Sequence, residues 1–167
     1  MHQRGEAMKI PVEIKVNHHS YQLEVEPQET LLEVLKNKLK INSLHQGCQE
    51  GECGACTVLL NGQPVCSCLI LSPQADGGEV LTLEGLNREG ELHPLLEAFM
   101  DNYAIQCGYC TPGMIMTAYY LINHLNNFSE ESIRKGIEGN LCRCTGYVQI
   151  LQAIKAAQKN KDAGRWW

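Results

Sequence analysis

Hydrophobic and polar positions alternate from the start of the chain. Val12, Ile14 and Val16 are separated by Glu13 and Lys15, and Tyr21, Leu23 and Val25 repeat the pattern. A period of two puts one side of each run in a core and the other in solvent, so both are half-buried strands. The short polar stretch Asn17-His18-His19-Ser20 between them predicts a hairpin. Paired histidines can ligate metal, but no third ligand lies nearby, so His18 and His19 are read as a solvated turn.

Thr30 and Glu33 form a capping box, which opens a helix with Leu31, Leu32, Leu35 and Leu39 as its apolar stripe. This helix is expected to end near Lys40. Thr57-Val58-Leu59-Leu60 predicts a strand that turns at Asn61-Gly62, a strong hairpin signal. Val65 to Cys68 returns as its partner, and Val80 to Leu83 makes one more short strand. Two hairpins, a helix and a last strand predict a small mixed α+β domain over residues 8–84.

Beyond Gly85 the period changes to three and four. Leu92, Leu95, Leu96, Phe99, Met100 and Tyr103 mark an amphipathic helix. Thr111-Pro112 opens a second, striped by Met114, Ile115, Ala118, Leu121, Ile122 and Leu125. Ser129 caps a short third helix through Ile133 and Ile137, ended by Gly139. Thr145 is expected to cap a fourth, with Val148, Leu151 and Ile154 facing inward. Residues 85–160 therefore read as a four-helix bundle. Residues 1–7 and 161–167 are read as loose termini, and the pair Trp166-Trp167 as a frayed end.

Composition narrows the class. The 167 residues suffice for one large or two small domains. With 44% hydrophobic and 20% charged residues the chain has the make-up of a soluble globular protein. A net charge of −5 gives no reason to expect nucleic acid or an anionic membrane as partner. Apolar runs are too short for a membrane span, and Met1 to Ala7 lacks the apolar core of a secretory signal. These features place the chain in the cytoplasm. There, nine cysteines point to metal rather than to disulfides, and the odd number leaves one outside any scheme of fours.

The cysteines carry the chemistry. Cys48, Cys53 and Cys56 have the C-x4-C-x2-C spacing of a plant-type [2Fe–2S] loop, with a fourth cysteine expected downstream. Iron needs tetrahedral sulfur, so the loop must wrap tightly, and its amides should point at the sulfurs. Gly47, Gly51 and Gly54 are expected to supply positive φ and close backbone approach. Zinc is disfavoured, because zinc sites pair two short knuckles. Cys66 and Cys68 would share one strand face, so spacing does not choose the fourth ligand between them.

A second set combines Cys107-x2-Cys110 with Cys142-x-Cys144. The pairs are separated by about the length of a helical hairpin, so both can meet at one end of the bundle. Spacing leaves zinc open as a rival there. Arg143, between two of these cysteines, either offsets the charge of a bound group or faces solvent or a partner.

Four segments resemble one family. They are Gly47-Cys48-Gln49-Glu50-Gly51-Glu52-Cys53-Gly54-Ala55-Cys56-Thr57-Val58, Ser67-Cys68-Leu69, Gln106-Cys107-Gly108-Tyr109-Cys110-Thr111-Pro112-Gly113, and Gly139-Asn140-Leu141-Cys142-Arg143-Cys144-Thr145-Gly146-Tyr147. Together they resemble the iron–sulfur subunit of the molybdenum hydroxylases, the group of xanthine dehydrogenase, aldehyde oxidoreductase and carbon monoxide dehydrogenase. The similarity runs over residues 8–158.

The resemblance implies a β-grasp ferredoxin domain followed by a four-helix bundle, each with one [2Fe–2S] cluster. It implies Cys48, Cys53, Cys56 and Cys68 as ligands of the first, with Cys66 spare. It implies Cys107, Cys110, Cys142 and Cys144 as ligands of the second, iron–sulfur rather than zinc. Gln106 and Cys144 become neighbours of a molybdopterin (dinucleotide) held by a large subunit. An FAD-binding medium subunit, or another acceptor, would complete a hetero-oligomer. One departure is visible: the family often has a lysine three residues before its first cysteine, and here that place holds His45.

The function expected is therefore electron transfer within a molybdenum-dependent oxidoreductase. The chain has no glycine-rich dinucleotide fingerprint and no evident catalytic base, so no catalytic residue is assigned. Substrate would be read by the molybdenum subunit. Two other classes compete with this reading. One is a non-redox interaction module with two structural zinc sites. The other is a free-standing ferredoxin, against which the second cysteine set argues.

Overall fold

The computed structural model describes residues 8–88, 90–125 and 127–167. The expectation for residues 1–7 lies outside them.

Strands β1 (Ile10–Val16) and β2 (His19–Val25) pair antiparallel in full register, Ile10 opposite Val25 and Val16 opposite His19. Asn17 and His18 turn the chain with φ of 48° and 72°, the two-residue geometry that matches strand twist. His18 and His19 are exposed there, as a solvated turn requires. Strands β3 (Thr57–Leu60) and β4 (Gln63–Cys66) repeat the arrangement around Asn61 and Gly62. Strand β5 (Glu79–Leu81) fills the centre, parallel to β1 and antiparallel to β3, which gives the order β2-β1-β5-β3-β4.

Both turn asparagines hold this central region. The Glu79 amide donates to Asn61 Oδ1 at 2.9 Å, and Asn17 exchanges two hydrogen bonds of 2.9 Å with Thr82. The expected strand to Leu83 is cut short at Leu81, because Leu83–Leu86 closes into a 3₁₀ turn.

Helix α1 (Leu31–Glu33) begins at the predicted capping box and continues as a π-helical turn over Val34–Lys38. Its Leu31, Leu32 and Leu35 bury against Val12, Ile14, Val16, Val58 and Val80. Strand β3 is buried on both faces. Val58 joins that core, whereas Leu59 joins a second core built by the helices.

Those helices are α2 (Pro94–Asp101), α3 (Thr111–His124), α4 (Glu130–Gly136) and α5 (Val148–Asp162). They surround Leu95, Phe99, Met114, Ile115, Ile133, Ile150 and Ile154, and α3 lies across β3. The fold is thus a mixed α+β one, as expected.

Several details differ from the sequence expectation. Helix α2 starts only at Pro94, after His93 caps it, and Leu92, Met100 and Tyr103 are exposed rather than part of the apolar stripe. Helix α4 ends at Gly136, before Gly139. Thr145 does not cap α5; Tyr147 occupies that position with φ of 68°, and Val148 is exposed rather than inward.

The C-terminal tail is held rather than loose. Helix α5 runs on to Asp162, and the tryptophans dock on the helices instead of fraying. Trp166 stacks on Tyr119 and donates from Nε1 to Asn123 Oδ1 at 3.2 Å. Trp167 donates from Nε1 to the Leu86 carbonyl at 3.1 Å, beneath the Arg88 guanidinium. The fully buried His93 sits between them. Its Nδ1 accepts from the Leu95 amide, so Nε2 carries the proton and donates to the Trp167 carbonyl at 3.0 Å.

Candidate functional site

The first cysteine set lies in the loop between α1 and β3 and at the end of β4. Glu50 and Cys53 amides donate to Cys48 Sγ at 3.4 Å, so amides do point at sulfur. Gly51 and Gly54 take φ of 80° and 64°. Gly47 needs space rather than positive φ, since a β-carbon there would lie 2.7 Å from Cys53 Sγ.

Strand β4 stops at Cys66, and Ser67–Leu69 form a 3₁₀ turn. Cys66 and Cys68 therefore do not share a strand face as expected. Both thiols nevertheless reach Cys56. The Gly51 carbonyl, 3.5 Å from Cys66 Sγ, competes with Cys56 for the single proton of that thiol.

The second set is held at the start of two helices. Cys107 and Cys110 precede α3, and Cys142 and Cys144 lie in the loop before α5. The Cys110 thiol meets Cys142, and the Cys144 thiol meets Cys107. All four line one cavity of about 150 Å³, which Cys53 and Gly47 of the first loop also border.

Tyr147 sets this loop. Its hydroxyl accepts from the Cys142 amide at 2.8 Å and donates to the Asn140 carbonyl at 3.2 Å. Thr145, predicted as a helix cap, instead accepts from the Tyr147 amide at 3.2 Å and approaches Cys142 Sγ at 3.1 Å.

The two loops touch. The Leu141 amide donates to the Cys53 carbonyl at 2.9 Å, and the buried Asn140 side chain donates to the Gly54 carbonyl at 3.0 Å. Gly54 and Gly113 make this approach possible. A β-carbon on Gly54 would strike the Gly139 carbonyl, and one on Gly113 would strike the Gly54 carbonyl. Nothing in the sequence pattern assigns a role to Tyr147, Asn140 or Gly113. Their roles depend on contacts between distant segments, for which local pattern carries no signal.

Burial and hydrogen bonding tune the free thiols. Donation from the Cys66 thiol, aided by the Cys68 amide and against burial, holds Cys56 down to about 5. Cys66, as donor, is raised in turn. Burial pushes Cys68 up to about 11 and Cys110 up to about 12. The Glu50 and Cys53 amides bring Cys48 down to about 7. Burial opposes ionisation of Cys142, but bonds from Thr145 and the Cys144 amide outweigh it and lower that thiol. Donation to Cys107 raises Cys144. Metal ligands must be deprotonated, so acidified thiols in each set suit cation binding.

Among the described residues, no group of three or more His, Cys, Asp or Glu closes around a single ion. In the second set the thiols meet in two pairs; in the first, Cys48 meets Cys53 and Cys56 meets Cys68, with Cys66 as a further neighbour of Cys56, and a two-iron cluster takes two thiolates at each iron. The donor set thus fits [2Fe–2S] groups. Gln106, Arg143 and Cys144 are all exposed.

Comparison with known proteins agrees. Residues 9–97 match a family described as "2Fe-2S iron-sulfur cluster binding domain", and residues 82–155 match one described as "[2Fe-2S] binding domain". The protein is therefore an iron–sulfur protein of the [2Fe–2S] class. Over 149 residues it is 43% identical to the nicotinate dehydrogenase small FeS subunit of Eubacterium barkeri, covering 89% of this chain and 95% of that one. It is 42% identical over 154 residues to the xanthine dehydrogenase iron–sulfur-binding subunit of Escherichia coli O157:H7, covering 91% and 96%.

Among solved structures, quinoline 2-oxidoreductase from Pseudomonas putida 86 superposes with a TM-score of 0.89 at 35% identity, covering 94% of this chain and 98% of that one. Aldehyde oxidoreductase from Desulfovibrio gigas superposes at 0.88 and 34% identity, covering 93% of this chain but 17% of that much longer one. The chain belongs to the family of small iron–sulfur subunits of the molybdenum hydroxylases. Its relatives are subunits of multi-subunit dehydrogenase and oxidoreductase complexes, and its role is electron transfer in such an enzyme. Among the described residues no helix is long and apolar enough to cross a membrane.

Proposed function

We propose that this subunit is a two-centre electron relay. Its architecture is a β-grasp ferredoxin-like unit over residues 8–84 joined to a four-helix bundle over residues 85–160. Cys48, Cys53, Cys56 and Cys68 would hold one [2Fe–2S] group, and Cys107, Cys110, Cys142 and Cys144 a second. When bound, these groups supply one-electron carriers between a molybdopterin on a large subunit and an FAD on a medium subunit or another acceptor. The pairwise contacts of the thiols and the descriptions of both matching families support iron–sulfur over zinc.

The observation that carries this reading is the hydrogen bond from the Leu141 amide to the Cys53 carbonyl. Leu141 is bonded directly to Cys142, so one hydrogen bond and a short run of backbone separate the two sets. Electron transfer weakens steeply with the gap crossed, and this junction keeps the gap small and fixed.

Partner contact is supported by apolar side chains left exposed beside both sets. Leu69 adjoins Cys68, and Ile105, Leu141 and Val148 flank the second set. On that side Gln106 and Cys144 are assigned as neighbours of the pterin. Arg143, which borders the cavity, offsets the negative charge of the bound group. The nine free thiols suit the reducing cytoplasm.

The test is Cys144→Ser in the assembled complex. It should lower iron to about two per chain and stop reduction of the distal acceptor by substrate. Normal flux to that acceptor in a complex lacking the cluster would refute the relay.

A further inference from the structure

The cavity that gathers Cys107, Cys110, Cys142 and Cys144 has Tyr109 on its solvent side. This residue both lines the cavity and is 48% exposed. Its own loop does little to hold it, since the preceding Gly108 has φ of 84° and the ring packs on neither hydrophobic core.

What fixes it comes from the other loop. The His45 ring stacks on the Tyr109 ring, with centroids 4.4 Å apart and planes 15° from parallel. His45 Nδ1 donates to the Tyr109 carbonyl at 2.8 Å. The Tyr109 hydroxyl donates to the Gln46 carbonyl at 2.8 Å. Ring face, backbone and hydroxyl are thus all bound to residues 45 and 46. A half-exposed tyrosine without such contacts would exchange rotamers and open the cavity to water.

We propose that His45 is a positioning residue for the second cysteine set, although it lies three residues before Cys48 of the first. It holds Tyr109 as the wall that limits water at the half-buried Cys110 sulfur. Solvent access and outer hydrogen bonds govern both the potential and the lability of an iron–sulfur group. A substitution at His45 therefore acts across the junction between the loops, on the far set more than on the near one. This inference rests on the two-centre reading above.

The experiment uses the full chain in its complex, reduced and followed by EPR, with Cys144→Ser identifying the signal of the second set. His45→Ala should shift the line shape and potential of that signal and speed its loss in air roughly tenfold, the lower end for outer-shell substitutions. The first signal should keep its potential and decay rate. His45→Phe, which keeps the stack and loses the hydrogen bond, should recover part of the protection. An unchanged second signal in His45→Ala, or a change confined to the first, would overturn the proposal. Iron content separates the two levels of failure. About four irons in the wild type with an indifferent second signal sinks the His45 role alone, whereas zinc or half the iron sinks the two-centre reading and this inference with it.

Discussion

The Leu141 amide and the Cys53 carbonyl meet at 2.9 Å, and through them the two cysteine loops form one body. Asn140 and Gly113 guard the same seam. Asn140→Ala removes one donor to the Gly54 carbonyl, which still accepts from the Thr57 amide and hydroxyl, so the expected cost is about 1 kcal/mol. Gly113→Ala has the larger effect. Alanine gains about 1 kcal/mol of helix propensity, but its β-carbon would strike the Gly54 carbonyl, backbone that cannot rotate away, at about 3 kcal/mol, the upper end for overpacking, so a net loss of about 2 kcal/mol remains. Thermal unfolding should rank Gly113→Ala below Asn140→Ala, and the first should also weaken magnetic coupling between the reduced centres. Higher stability for Gly113→Ala would contradict the close seam.

Cys66 and Cys68 both touch Cys56, yet the ligand assignment gives them opposite fates. Cys66→Ser keeps a donor beside Cys56 and should retain both centres. Cys68→Ser should lose the first centre and about two irons per chain. Iron analysis with EPR decides this, and loss of a centre in Cys66→Ser would exchange the two roles.

Tyr147→Phe keeps the ring and deletes one hydroxyl. The Cys142 amide and the buried Asn140 carbonyl then lose a partner, at about 1–3 kcal/mol. Iron should leave the second set faster in the presence of a chelator, with the first set unaffected. Equal release from both sets would show that Tyr147 acts on stability at large.

Burial, with help from the Arg88 charge, holds His93 below the ordinary imidazole range. The unfolded chain takes up its proton near pH ~6.5, the folded chain only at lower pH. Between those values the unfolded state binds more protons, so stability rises with pH. This contribution is complete above about 6.5 and is lost as the pH falls through the folded value. Protonation would place a hydrogen on Nδ1, facing the Leu95 amide, and so break the cap of α2 and loosen the tryptophan tail. Melting temperature against pH should fall more steeply on the acid side for the wild type than for His93→Gln. Parallel curves would exclude His93 as the titrating group.

What could be read from sequence was local and periodic. The alternation of Val12, Ile14 and Val16 and the Thr30–Glu33 box lie within a few residues, and each sits where it was expected. The cysteine pairs were legible because metal geometry demands short spacing. Errors arose where a distant contact overrides local preference. Thr145 has the chemistry of a helix cap, but its hydroxyl is taken by the loop it closes. Trp166 and Trp167 follow a polar stretch and suggest fraying, yet His93, Leu86 and Asn123 receive them. The His45–Tyr109 stack joins residues 64 apart in sequence, beyond the reach of any local pattern.

The central claim is that one chain carries two iron–sulfur centres, and metal analysis tests it most directly. Iron, acid-labile sulfide and zinc should be measured on anaerobically prepared protein, with EPR after reduction. The account predicts about four irons and four sulfides per chain and two distinguishable [2Fe–2S] signals. Zinc in place of iron, or a single signal that accounts for all the iron in intact protein, would contradict it.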